Sequence, residues 1–197
     1  MKLLRRERGC TLEHRLVWQA ASLLLAYPDE QHTGRLATVD ELLANVSGRP
    51  AELLGRTVVA LRDADPRRAG TDYGHTLAPR PRSTMDQAYR AAGVGPPHRE
   101  APDHLPVVLE FAATVDPEAG RQLLVEHRVP IDVLRDALER SDSPYAHAVA
   151  AVCHTLPTAT DRDVERARRL AAAGPPAESV GLEPFTLTVP PRRAQGD

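Results

Sequence analysis

The sequence predicts an all-α fold, a single-domain helical bundle followed by an extended C-terminal tail, on three observations. Apolar residues make up 42% of the chain but aromatics only 4%, so the core must be built from Leu, Val and Ala, which suit helix packing better than sheets. Apolar positions recur at three- and four-residue steps through successive segments, the period of an amphipathic helix. Proline also recurs where a first helical turn tolerates it. The 197 residues suffice for one substantial domain, and no second complete domain is expected.

Residues 1–11 form a basic leader. Met1 to Cys10 carries the charge of a secretory n-region, but Glu13, His14, Arg15 and Gln19 interrupt what would be its apolar core, so no export signal is predicted. The helical domain is placed at 12–173. Leu12, Leu16, Ala20, Leu23, Leu24 and Tyr27 give a first helix, ended by Pro28 because a residue before proline is pushed out of the α region. Leu36, Val39, Leu42, Leu43 and Val46 give a second, stopped by Ser47-Gly48-Arg49-Pro50, and Leu53, Leu54, Val58 and Leu61 a third.

Residues 70–82, with two glycines and two prolines, read as an irregular segment, and Ser83 to Ala92 as a short helix before a Gly95-Pro96-Pro97 linker. Leu105 to Val115 is apolar almost all round, which makes it the candidate central element. Asp116-Pro117, Val129-Pro130 and Ser143-Pro144 then mark helix starts at 117, 130 and 144, with Asp116 and Ser143 as caps. A charged last helix from Asp161 to Ala173 presents a solvated face around a thin stripe of Val164, Ala167 and Leu170. Residues 174–197 form a Pro-rich extended tail containing the alternating run Phe185 to Val189.

Several function classes are disfavoured. Lys and Arg number 25 against 27 Asp and Glu, so no basic excess exists to neutralise a nucleic-acid backbone. No uncharged apolar run reaches the roughly 18 residues of a membrane helix, and a cytoplasmic protein is expected. Cys10 and Cys153 make neither a disulfide framework nor a CxxC pair and are expected to be reduced thiols. The common nucleotide-binding, hydrolase and zinc motifs are absent. The eight histidines lack the i, i+4 spacing of a metal pair; His147 and His154 lie seven apart without a clearly positioned acidic or thiol partner.

One polar cluster stands out, Glu100-Ala101-Pro102-Asp103-His104-Leu105-Pro106, between a linker and the most apolar segment. From the residues alone two roles stand. Asp103 caps the helix with His104 in its first turn, or the carboxylates and imidazole form a stiff polar lip over a groove that accepts an incoming peptide.

Glu100 to Ala112 resembles the signature segment of the NarJ-type chaperones, the delta subunit of respiratory nitrate reductase, and its Glu-x-Pro-Asp-His core is shared with the wider group of redox-enzyme maturation chaperones. Leu23-Leu24-Leu25-Ala26-Tyr27-Pro28-Asp29, Pro144-Tyr145 and Leu182-Glu183-Pro184-Phe185 are also similar to the family, so the resemblance runs from about Val17 to Arg193. There is one departure. After Asp72-Tyr73 the family continues through an arginine-rich stretch, an aromatic helix and a Gly-Asp-Thr-Arg turn; here Thr76 to Met85 is a degraded first part, and about a helix is missing before Tyr89-Arg90. Exposing a few hundred Å2 of apolar surface costs several kcal/mol at about 25 cal/mol per Å2.

The resemblance implies a helical bundle of the maturation-chaperone type. It implies a protein that is not an enzyme and has no cofactor of its own. Such a protein binds the apo catalytic (alpha) subunit of respiratory nitrate reductase and assists insertion of the client's molybdenum cofactor. Glu100, Pro102, Asp103 and His104 are implied as client-binding residues, with Leu105 and Val108 as an apolar wall. Two alternatives are an impaired paralogue without client binding, and a small hydrolase or metal-dependent enzyme using Asp103 and His104. The second lacks a converging nucleophile or third ligand in the sequence.

Overall fold

The computed structural model describes residues 10–27, 29–63, 90–93 and 104–172, with side chains at all of these except 166–168 and 170–172. Every regular element among them is helical. They are α1 (Leu12–Leu25), α2 (His32–Leu43), α3 (Gly48–Asp63), α4 (Leu105–Glu110), a π-helical turn (Phe111–Val115), α5 (Pro117–Glu126), α6 (Arg128–Arg140), α7 (Tyr145–Thr155) and α8 (Asp161–Ala172). The segments 70–82 and 174–197 and the helix expected at 83–92, but for its last three residues, lie outside the described residues.

The hub of the bundle is α1, which touches α2, α3, α4, the π turn and α7. The segment expected to be central, 105–115, is buried on most sides as its composition predicts, yet it packs chiefly on α1 and α5. The reason lies in side-chain size. Ala20, Ala21 and Ser22 let neighbours approach α1 closely, while Val17, Trp18, Leu24 and Leu25 fill the spaces between them. The fully buried Trp18 donates its indole N–H to Thr155 Oγ1 at 2.8 Å, joining α1 to the end of α7.

Each helix start has a local cause. His14 N donates to Thr11 Oγ1 at 3.2 Å, and His14 Nδ1 accepts from Thr11 N at 3.5 Å, a capping box with histidine in the usual Glu position. Burial, then the charge of Arg121, push the His14 pKa down, which favours the neutral ring that this bond requires. Asp116 caps α5 as predicted, accepting from Ala119 N at 3.0 Å with Pro117 in the first turn.

Three boundaries differ from expectation. Gly48-Arg49-Pro50, read as a stop, is the first turn of α3, because a proline there removes only an N–H that has no intrahelical partner. The helix containing Pro130 starts two residues before it, at Arg128, for the same reason. Pro144 itself occupies the cap position of α7, so Ser143 lies outside the helix and its Oγ, buried, has no hydrogen-bond partner among the described residues.

The π turn follows from Pro117. In a regular helix Ala113 O would accept from the N–H of residue 117, which proline lacks. The chain instead closes a wider turn, Asp116 N to Phe111 O at 3.1 Å, and Arg15 Nε donates to Ala113 O at 2.8 Å from α1. Thr114 Oγ1 donates back to Glu110 O at 2.8 Å.

Candidate functional site

Of the residues singled out in the sequence, His104, Leu105 and Val108 are described, while Glu100, Pro102 and Asp103 lie outside the described residues. His104 is the N-cap residue of α4, with extended backbone (φ −68°, ψ 130°); its carbonyl accepts from Val108 N at 3.1 Å, and its side chain does not cap the helix. The ring is half-buried. Leu105 and Val108 retain 5% and 9% of their surface, so both belong to the core beneath His104. Neither is an open wall among the described residues, because α1, the π turn and α5 cover the all-round apolar surface of α4.

Two side chains of α1 that drew no attention in the sequence fix this segment from below. Ser22, buried, donates through Oγ to Pro106 O at 2.8 Å, two residues from His104. Arg15 holds Ala113 O at the far end. The only sign of Ser22 in the sequence is a small hydroxyl in the apolar phase of a helix, and that residue type is as often a space-filler as a donor.

A recess of about 410 Å3 lies between α3 and the α6–α7 connection, lined by Arg56, Ala60, Glu139, Asp142, Pro144 and His147 among others. Its charges are of both signs, and the Ser143 hydroxyl that also lines it makes no hydrogen bond among the described residues. Among the described residues no group of three or more His, Cys, Asp or Glu side chains is placed to hold a metal ion. His147 and His154, both on α7, are therefore not drawn into such a cluster.

The two cysteines are free. Cys153, buried on α7, donates its S–H to Asp132 Oδ1 at 3.5 Å, and burial pushes its pKa up to about 11. At pH 8 roughly one thiol in a thousand is then ionised, and the thiolate is the reactive form. Iodoacetamide should label the half-buried Cys10 in the native protein and leave Cys153 unlabelled until denaturant is added. Equal labelling of both under native conditions would contradict this packing.

A family model described as nitrate reductase delta subunit matches residues 71–151, which include α4, the π turn, α5, α6 and most of α7. The nitrate reductase-like protein NarX of Mycobacterium tuberculosis, in strains CDC 1551 / Oshkosh and ATCC 25618 / H37Rv alike, is 50% identical over 160 residues, covering 71% of this chain and 24% of NarX. This chain thus spans about a quarter of NarX. The probable nitrate reductase molybdenum cofactor assembly chaperone NarJ of Bacillus subtilis strain 168 is 26% identical over 167 residues, covering 74% of this chain and 91% of NarJ. Those coverages amount to about 140 and about 146 residues of this chain, so about twenty positions of each alignment have no residue here. A model of the nitrate reductase delta subunit family thus matches about two fifths of this chain, and the chain is similar to both of these relatives over more than two thirds of its own length.

Proposed function

We propose that this chain is a cytoplasmic assembly chaperone that binds the apo catalytic subunit of a respiratory nitrate reductase and assists insertion of that subunit's molybdenum cofactor. The family match over residues 71–151 carries the reading, since it includes the Glu-x-Pro-Asp-His segment and the helices that follow. The NarJ relative, named for that assembly role, extends it over most of its own length. No helix among the described residues is long and apolar enough to cross a membrane. The product of such a protein is a loaded partner, and the molybdenum cofactor belongs to the client. With this reading goes a division into a basic leader (1–11), a helical chaperone domain (12–173) and a Pro-rich tail (174–197).

The client site is assigned to Glu100, Pro102, Asp103 and His104, with Leu105 and Val108 as its apolar part, in the core beneath His104. Carboxylates and an imidazole accept hydrogen bonds and charge from a peptide whose apolar face lies against the bundle. Calorimetric titration with a peptide from the N-terminus of the organism's nitrate reductase catalytic subunit tests this. Saturable micromolar binding, about −8 kcal/mol, is expected, and Asp103→Ala/His104→Ala should weaken it by about tenfold or more. A chain that is helical and melts cooperatively but does not bind would overturn the reading in favour of an impaired paralogue, whose missing positions carried the function.

A further inference from the structure

We infer that the recess between α3 and the α6–α7 connection is a binding site for a partner's peptide segment that carries a basic side chain beside an acidic one. It uses none of the residues assigned to the client above. Glu139, Asp142, Ser143 and His147 line it from the α6–α7 side and Arg56 from α3.

Asp142 holds its place against two local preferences. At the end of α6, Asp142 N donates to Glu139 O at 3.1 Å and Ser143 N to Leu138 O at 2.9 Å, a paired C-terminal motif that puts Asp142 in the left-handed region, at φ 54°. Glycine is the usual residue there because it has no Cβ to crowd the backbone, and Asp142 is the only non-glycine with a positive φ among the described residues. Its carboxylate also stands at the negative pole of the α6 dipole, where a cation is favoured. Among the described residues Asp142 makes no ion pair, and Glu139, three residues earlier, makes a single long one, to Arg135 at 3.5 Å. Two carboxylates so placed attract an ammonium or guanidinium.

Ser143 is an independent sign of a ligand. It retains 5% of its surface and lines the recess, and its Oγ has no hydrogen-bond partner among the described residues. A buried hydroxyl left unpaired costs free energy that a bound polar group recovers. The acidic side chains do not converge as metal ligands. Ala60 and Pro144 instead add an apolar lining that suits the methylene stem of a basic side chain. Arg56 is exposed on the α3 side and also makes no ion pair among the described residues, so it does not neutralise Asp142 and is open to an acidic neighbour of the incoming base.

Two substitutions test this without harming the fold. Asp142→Gly gives the left-handed position its usual residue and takes a negative charge from the helix end, and Ser143→Ala removes an unpaired hydroxyl. Both proteins should melt at or above the wild-type temperature. The probe is a capped tetrapeptide, Gly-Lys-Glu-Gly, titrated while the His147 ring is followed by NMR. Saturable shifts at millimolar concentration are expected, and each variant should weaken binding by about fivefold, the worth of one hydrogen bond. Arg56→Gln should weaken the Lys-Glu peptide and leave a Lys-Ala peptide unchanged. Free lysine, which lacks the acidic neighbour, should bind more weakly than the Lys-Glu peptide. No shift of the His147 ring in the wild type, variants that bind as the wild type does, or free lysine binding as well as the peptide would overturn the inference. So would a lower melting temperature for Ser143→Ala, because the hydroxyl would then have a partner within the chain.

Discussion

Gly120→Ala is expected to destabilise the protein by about 3 kcal/mol, although alanine is the better helix former by about 1 kcal/mol. Gly120 lies in α5 where that helix crosses the π turn, and a Cβ placed on it would overlap both the Cα and the Cβ of Ala112. Ala112 is fully buried and the overlapping atoms include backbone, so no flexible side chain can swing aside. The two elements must separate or the turn must distort, and either opens the packing around Leu109, Phe111 and Leu124. For a domain of this size the loss corresponds to a fall in melting temperature of roughly 6–12 °C. Gly55 supplies the opposite expectation in the same experiment. It lies inside α3 with nothing within 4 Å of a built Cβ, so Gly55→Ala should stabilise by up to about 1 kcal/mol. A stabilising Gly120→Ala would mean that α5 does not approach the π turn this closely.

That close approach marks the boundary of what the sequence made legible. Local information was enough for the apolar periodicity of α1 and α3, and for the Asp116 cap with the helix start at Pro117, because each is decided within a turn or two of the chain. The π turn was not legible, although Pro117 is its local cause, because an alternative at Ala113 O exists only when Arg15, 98 residues away in sequence, is present to donate. Ser143 failed as a cap for a related reason. Pro144 fits the helix start equally well, and tertiary contact through Thr57 to the Pro144 carbonyl fixes the helix one residue later than the pattern suggests.

The central role of α1 was hidden too, since Ala20, Ala21 and Ser22 are unremarkable in a hydropathy pattern and matter only once neighbouring helices pack on them. For the candidate site, the residue types were legible and the depth was not. Leu105 and Val108 were given as an apolar wall below a polar lip, and the all-round apolar character noted for that segment already required most of its faces to be covered, as they are.

Arg128→Ala is expected to cost about 3–5 kcal/mol, the range for stripping one partner from a buried charge pair. Arg128 is buried, and its guanidinium serves two duties at once. Nε and one terminal nitrogen meet Asp132 at 2.8 and 3.1 Å, while the other terminal nitrogen lies 2.9, 3.3 and 3.0 Å from the carbonyl oxygens of Cys153, Leu156 and Pro157. Those carbonyls are at and just beyond the end of α7, where helix acceptors lack the regular intrahelical partner and the helix dipole favours a cation. Truncation therefore takes this donor from the carbonyls of Leu156 and Pro157, leaves Cys153 O with Leu156 N alone at 3.3 Å, and leaves Asp132 with the longer contacts to Arg135 at 3.4 Å and the Cys153 thiol at 3.5 Å. Lysine keeps the charge but not the planar fork, so Arg128→Lys should recover part of the loss and not all of it. Denaturant unfolding of the two variants beside Arg128→Ala/Asp132→Asn separates the contributions. If the orphaned carboxylate dominates, the double variant regains much of the stability lost by the alanine variant; if the carbonyls dominate, it regains little. A loss below about 1 kcal/mol for Arg128→Ala would be the value of an exposed ion pair, and would mean that water reaches the end of α7 and that this junction is not closed.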